Sequence, residues 1–103
     1  MVELSYTKPA LQDLKNIFTY IANDSRLNAR RFADAIKEHI KTLKVHPEKG
    51  RPIFPQKFPD LREVLYKSYR IIYSFDGTQI LILVITHQSR LVSNIDSIKQ
   101  YFI

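Results

Sequence analysis

The chain has no cysteine, no tryptophan, one methionine and only two glycines in 103 residues. Without cysteine there is no disulfide, no thiolate nucleophile and no cysteine-ligated zinc. No apolar run approaches the roughly 18 residues that a membrane-spanning helix needs. The opening residues MVELSYTKP lack a basic segment followed by an apolar one, so no secretory leader is expected. A Gly-rich phosphate loop, a GxSxG elbow and an HExxH pair are all missing. The three histidines are scattered and the carboxylates do not pair, so neither a metal, a cofactor nor a carboxylate dyad is expected. A cytoplasmic protein with no membrane partner fits these absences.

Acidic residues are also scarce: ten, against sixteen Lys and Arg, a net charge of +6. The excess is spread through the chain, since residues 1–47 and 48–103 each carry eight basic and five acidic groups. It densifies from Lys49 to Arg90, with seven basic residues and three acidic ones. A basic domain is drawn to nucleic acid and to acidic protein surfaces. With 45% hydrophobic residues and twelve Phe and Tyr, the chain has enough apolar surface for one modest core, so residues 1–103 are expected to form a single domain.

Val2, Leu4 and Tyr6 alternate with polar neighbours, a strand with one buried face. Thr7 and Pro9 are start signals for a helix whose stripe is Ala10, Leu14, Ile17, Phe18 and Ile21. Asn23-Asp24-Ser25 turns the chain into a second helix over 27–45, with Ala29, Phe32, Ala33, Ile36, Ile40 and Leu43 inward. The two form an αα-hairpin. Residues 46–60 contain four prolines and read as a loop, with Ile53, Phe54 and Phe58 tucked inward and Lys49, Arg51 and Lys57 outside. Three strands follow, 61–66, 69–75 and 79–86, joined at Lys67-Ser68 and at Asp76-Gly77, a strong hairpin signal. The fold class is α+β, a strand and an αα-hairpin followed by a three-stranded antiparallel meander, with the helices on one face of a small sheet. The tail 96–103 reads as a short helix or an added strand.

Strand parity places Tyr69, Ile71, Tyr73 and Phe75 on one face and Arg70, Ile72 and Ser74 on the other. Packing the bulkier face on the helices leaves Arg70 on an open face. Arg62, Val64 and Tyr66 are expected to join it, with His87 and Arg90 at the exit of the last strand. Arg62, Arg70, Arg90 and Tyr66, with Lys49, Arg51, Lys57 and Lys67 around them, would then form a basic, aromatic surface for phosphates, stacked bases or another target. Each residue also has a structural reading: Arg70 can pair with Glu63 or Asp60, Arg62 can guard a sheet edge, and His87 can be a hydrogen-bonding residue at a strand end.

The order of A-x3-L-x2-I-x3-I, P-x2-G-R (Pro47, Gly50, Arg51), L-R-E, Y-R-I-I-Y and V-x2-H-x2-R over residues 2–92 resembles the RelE/ParE superfamily of toxins from type II toxin–antitoxin modules. The resemblance implies a cytoplasmic, plasmid-stabilising type of toxin neutralised by a cognate antitoxin. Operator DNA would be reached only through that antitoxin. The RelE branch implies metal-independent cleavage of mRNA on the ribosome, for which Arg62, Arg70, His87 and Arg90 are the catalytic candidates. Val64 stands where that branch has its second strand lysine, and Asp96 near its tail tyrosine. The ParE branch, which implies inhibition of DNA gyrase by binding with no catalysis of its own, fits the motifs better.

Overall fold

The computed structural model describes residues 2–89; Arg90, Asp96 and the tail lie outside the described residues. The first strand, β1 (Glu3–Tyr6), runs into helix α1 (Lys8–Ala22). Thr7 caps that helix, its Oγ1 accepting from the Ala10 N–H at 3.1 Å. Ser25 does the same for α2 (Arg26–Lys41), accepting from the Asn28 N–H. The side-chain caps satisfy donors that the first helical turn leaves unpaired. The predicted second helix ends earlier than expected, because its last residues tighten into a 3-10 turn over Thr42–Lys44.

Four strands complete the described residues: β2 (Arg51–Pro52), β3 (Leu61–Tyr66), β4 (Tyr69–Phe75) and β5 (Gln79–His87). The sheet order is β1-β5-β4-β3-β2, with β1 parallel to β5 and the other pairs antiparallel. The meander is therefore the middle of a five-stranded mixed sheet. The two-residue β2 at its edge lies inside the stretch read as loop, where two residues offer no periodicity to detect. Asp76 closes the β4–β5 hairpin, its Oδ1 accepting from Thr78 N, Thr78 Oγ1 and Gln79 N while Gly77 takes a φ of 101°. Those hydrogen bonds favour the charged carboxylate and hold its pKa below the ordinary value.

Opposite Ile72 and Tyr73 the register slips by one residue, so that Val84 faces Ile72, Ile82 faces Tyr73 and Leu83 is extra. This bulge lets β5 feed two cores. Ile80, Ile82 and Ile85 pack with Ile71, Tyr73, Val64, Ala10, Leu14, Ile36 and Ile40 between sheet and helices. Leu83 and Val84 pack with Leu61 and Ile72 on the far face, where Ile53 and Phe58 of the proline-rich segment cover them. The far face, expected to be open, is thus partly roofed. Phe54, expected inward, is 44% exposed.

The start of α1 closes the β5 edge where β1 ends. Thr7 donates through its N–H to Ile82 O and through Oγ1 to Leu83 O, and Asp13 Oδ2 accepts from the Ile85 N–H at 3.0 Å.

Candidate functional site

The expected convergence of cations on one face does not occur. Across the two-residue turn Tyr66 faces Tyr69, so Val64 faces Ile71, Arg62 faces Tyr73 and Leu65 faces Arg70. Directly opposed residues share a face. Arg62, Val64 and Tyr66 therefore lie on the helix side, and Glu63 and Leu65 share the far face with Arg70. The register across the turn is one residue out of step with the expected parity, and a one-residue slip moves every side chain to the other face.

On the far face Glu63 is buried, its side chain 1% exposed, between two guanidinium groups. Arg51 donates through Nε and Nη2 to Glu63 Oε1 at 3.0 and 2.8 Å. Arg70 Nε lies 3.0 Å from Oε2, an electrostatic contact rather than a well-aligned hydrogen bond. A carboxylate this buried is tolerated only when paired. The pairing of Arg70 with Glu63, its structural alternative, is what the fold contains.

Arg62 serves the loop. Its Nη1 donates to the carbonyls of Gly50 at 2.7 Å and Glu48 at 3.2 Å. The fully buried Tyr73 works from the inside: its hydroxyl accepts from the Gly50 N–H at 2.9 Å and donates to Pro47 O at 2.8 Å. Burial pushes the phenol pKa up. A Cβ on Gly50 would stand 2.5 Å from that hydroxyl, so this position admits only glycine without displacement. The P-x2-G-R, L-R-E and Y-R-I-I-Y motifs are in this way tied together: the second tyrosine and Arg62 latch the loop, while its Arg51 and the YR arginine meet on Glu63. Lys49, Arg51 and Lys57 are exposed, as expected.

The helix side gathers rings. Phe32 lies 5.9 Å from Tyr66 and 5.2 Å from Tyr69, His39 lies 4.9 Å from Tyr66, and His87 meets Tyr69 edge-on at 6.0 Å, all between ring centroids. Lys67 Nζ sits 5.7 Å over the Tyr66 ring. His39 was not among the sequence candidates; its seven-residue spacing from Phe32 was the available signal, since it puts both on one helix face. Burial first, then the charge of Lys49, lowers its pKa, against a hydrogen bond to the Leu65 backbone. His87 Nδ1 accepts the Ser89 N–H at 3.2 Å and contacts Ser89 Oγ at 2.9 Å. These contacts are the hydrogen-bonding role at a strand end that the sequence offered as its structural reading. Arg90, the remaining candidate, lies outside the described residues. Among the described residues no group of His, Asp or Glu is placed to hold a metal ion, and no helix is long and apolar enough to cross a membrane.

The fold has solved counterparts. A chain of the chromosomal ParDE toxin–antitoxin system from P. aeruginosa superposes with a TM-score of 0.69 at 25% identity, over 84% of this chain and 96% of that one. A chain of the toxin–antitoxin complex RelBE2 from Mycobacterium tuberculosis gives a TM-score of 0.64 at 21% identity, over 84% and 98%. No curated protein matches by sequence. The family profile of the ParE toxin of type II toxin–antitoxin systems, parDE, matches residues 4–92. All the described elements except Glu3, the first residue of β1, fall within that span, and the chain belongs to the ParE toxin family.

Proposed function

We propose that this toxin arrests growth in the cytoplasm by binding and inhibiting DNA gyrase, with no chemistry of its own, and that a cognate antitoxin neutralises it. The observation that carries this reading over a RelE-like mRNA endonuclease is the separation of the cations. Arg62 and Arg70 lie on opposite faces of the sheet, one holding loop carbonyls and the other a buried carboxylate. A metal-free nuclease needs its proton-transfer and charge-stabilising groups on one scissile phosphate, within hydrogen-bond reach. The ParDE counterpart supports the antitoxin. Its seat on this chain is the groove of about 440 Å³ lined by Phe18, Arg26, Leu27 and Arg30, where apolar side chains between two arginines suit an acidic amphipathic helix.

The test is a supercoiling assay with purified toxin and gyrase. Loss of supercoiling or accumulation of cleaved complex is expected, and unchanged supercoiling at excess toxin would refute the reading. Cuts in translated mRNA, abolished by Arg70→Ala, would move the protein to the RelE-like mechanism.

A further inference from the structure

Three surfaces outside the latch are candidates for a further site. The groove at the helical hairpin belongs to the proposed antitoxin seat. The groove at the β3 edge contains His39, Lys49 and Arg51, but its floor is Glu63, and a buried carboxylate works against an anion. The third lies between α2 and the β3–β4 turn. It is about 410 Å³, lined by Asn28, Arg31, Phe32 and Lys67 with Ile21 and Ala35, and has no acidic residue. Phe32 in its wall is braced from behind by tilted contacts with Tyr66 and Tyr69.

We propose that this groove binds single-stranded nucleic acid, with a base set against Phe32 and the backbone phosphates met by Arg31 and Lys67. Bases of any sequence offer a flat π face to such a ring, and the cations track the strand beside it.

A second observation comes from the backbone. Lys67 has a φ of 52°, in the left-handed region where glycine and asparagine are at home. Its turn is also fixed from behind: Lys67 O accepts from Gln88 Nε2 and Ser68 O from the Gln88 N–H. The turn thus holds a lysine, in a conformation that disfavours it, at the mouth of a groove whose lining has no acidic residue. This inference goes beyond the gyrase reading, since it assigns the toxin a direct contact with nucleic acid.

The probe is a fluorescein-labelled single strand of about 12 nucleotides, as DNA and as RNA, titrated at several salt concentrations. Binding of either is expected; preference for RNA would assign a role to the 2′-hydroxyl, and equal binding would assign recognition to stacking and phosphate. Lys67→Asn removes the charge and suits the backbone. It is expected to weaken binding by about threefold to tenfold and to lower the salt slope by about 0.7, one phosphate contact on a single strand. Phe32→Leu should cost about tenfold. Lys15→Asn, on α1 and outside the groove, should change affinity less than twofold, roughly the scatter of one surface charge. No binding by the unaltered toxin, an equal loss in Lys15→Asn and Lys67→Asn, or equal competition by a polyglutamate peptide of matched charge would overturn the proposal. The assay contains no gyrase, so its failure leaves the target reading standing.

Discussion

On the far face of the sheet Arg70 and Arg51 close over Glu63, beside an apolar patch roofed by Ile53 and Phe58. On the helix face Tyr66, Tyr69, Phe32 and His39 form a ring cluster, with Lys67 and Arg31 at its margin and Arg62 turned away to the loop. Both faces carry arginine or lysine, but among the described residues only the far face sets a buried carboxylate between its cations. Counter-charge, not the number of cations, separates the two faces.

The contrast is most exposed to a change at Glu63. Replacing it with alanine leaves Arg70 without its carboxylate in a nearly closed environment, and a loss of about 3 kcal/mol in urea unfolding is expected. A loss below about 1 kcal/mol, the level of a surface pair, would make the far-face arginines available to a ligand and erase the difference between the faces.

The next effect is at the latch. Tyr73→Phe removes the hydroxyl that satisfies Gly50 N–H and Pro47 O and should cost about 1–3 kcal/mol. Gly50→Ala should cost a similar amount, about 1–3 kcal/mol, by driving a methyl group into the same hydroxyl. Each is read from thermal or urea unfolding. If either were neutral, the tie between the loop and strand motifs would need a functional explanation, not a mechanical one.

The smallest effect separates the ring cluster by pH. His39 has a lowered pKa in the folded state, so between that value and the unfolded pKa near 6.5 the unfolded chain binds more protons. Its contribution to stability therefore rises with pH through this window and is level above it. His39→Gln should flatten the slope in stability measured between about pH 5 and 7, and an unchanged slope would remove His39 from the cluster's account.

The helix starts and the β4–β5 turn were legible because their chemistry is local: Thr7 and Ser25 cap, Asp76-Gly77 turns, and apolar residues recur at helical spacing. Arg70's pairing with Glu63 was legible as one of two readings. The face of Arg62 was not, because it depends on the register across Lys67-Ser68, a property of two strands that neither strand's pattern states. The bulge at Leu83 was hidden for a related reason: Ile80 to Ile85 is apolar throughout, so no alternation reveals where parity changes. His39 was passed over because an isolated histidine on an amphipathic helix resembles any other boundary residue until its strand-side neighbour is known.

The Asp13 carboxylate has a consequence at the scale of many molecules. Edge strands with unpaired N–H and C=O groups are templates for stacking one chain on the next. β1 shields β5 only as far as Tyr6, and the strand beyond it is among the most apolar stretches of the protein. By taking the Ile85 N–H, Asp13 makes that stretch a poor seed for ordered aggregation. The protection takes one partly buried carboxylate, on a chain that has few to spare.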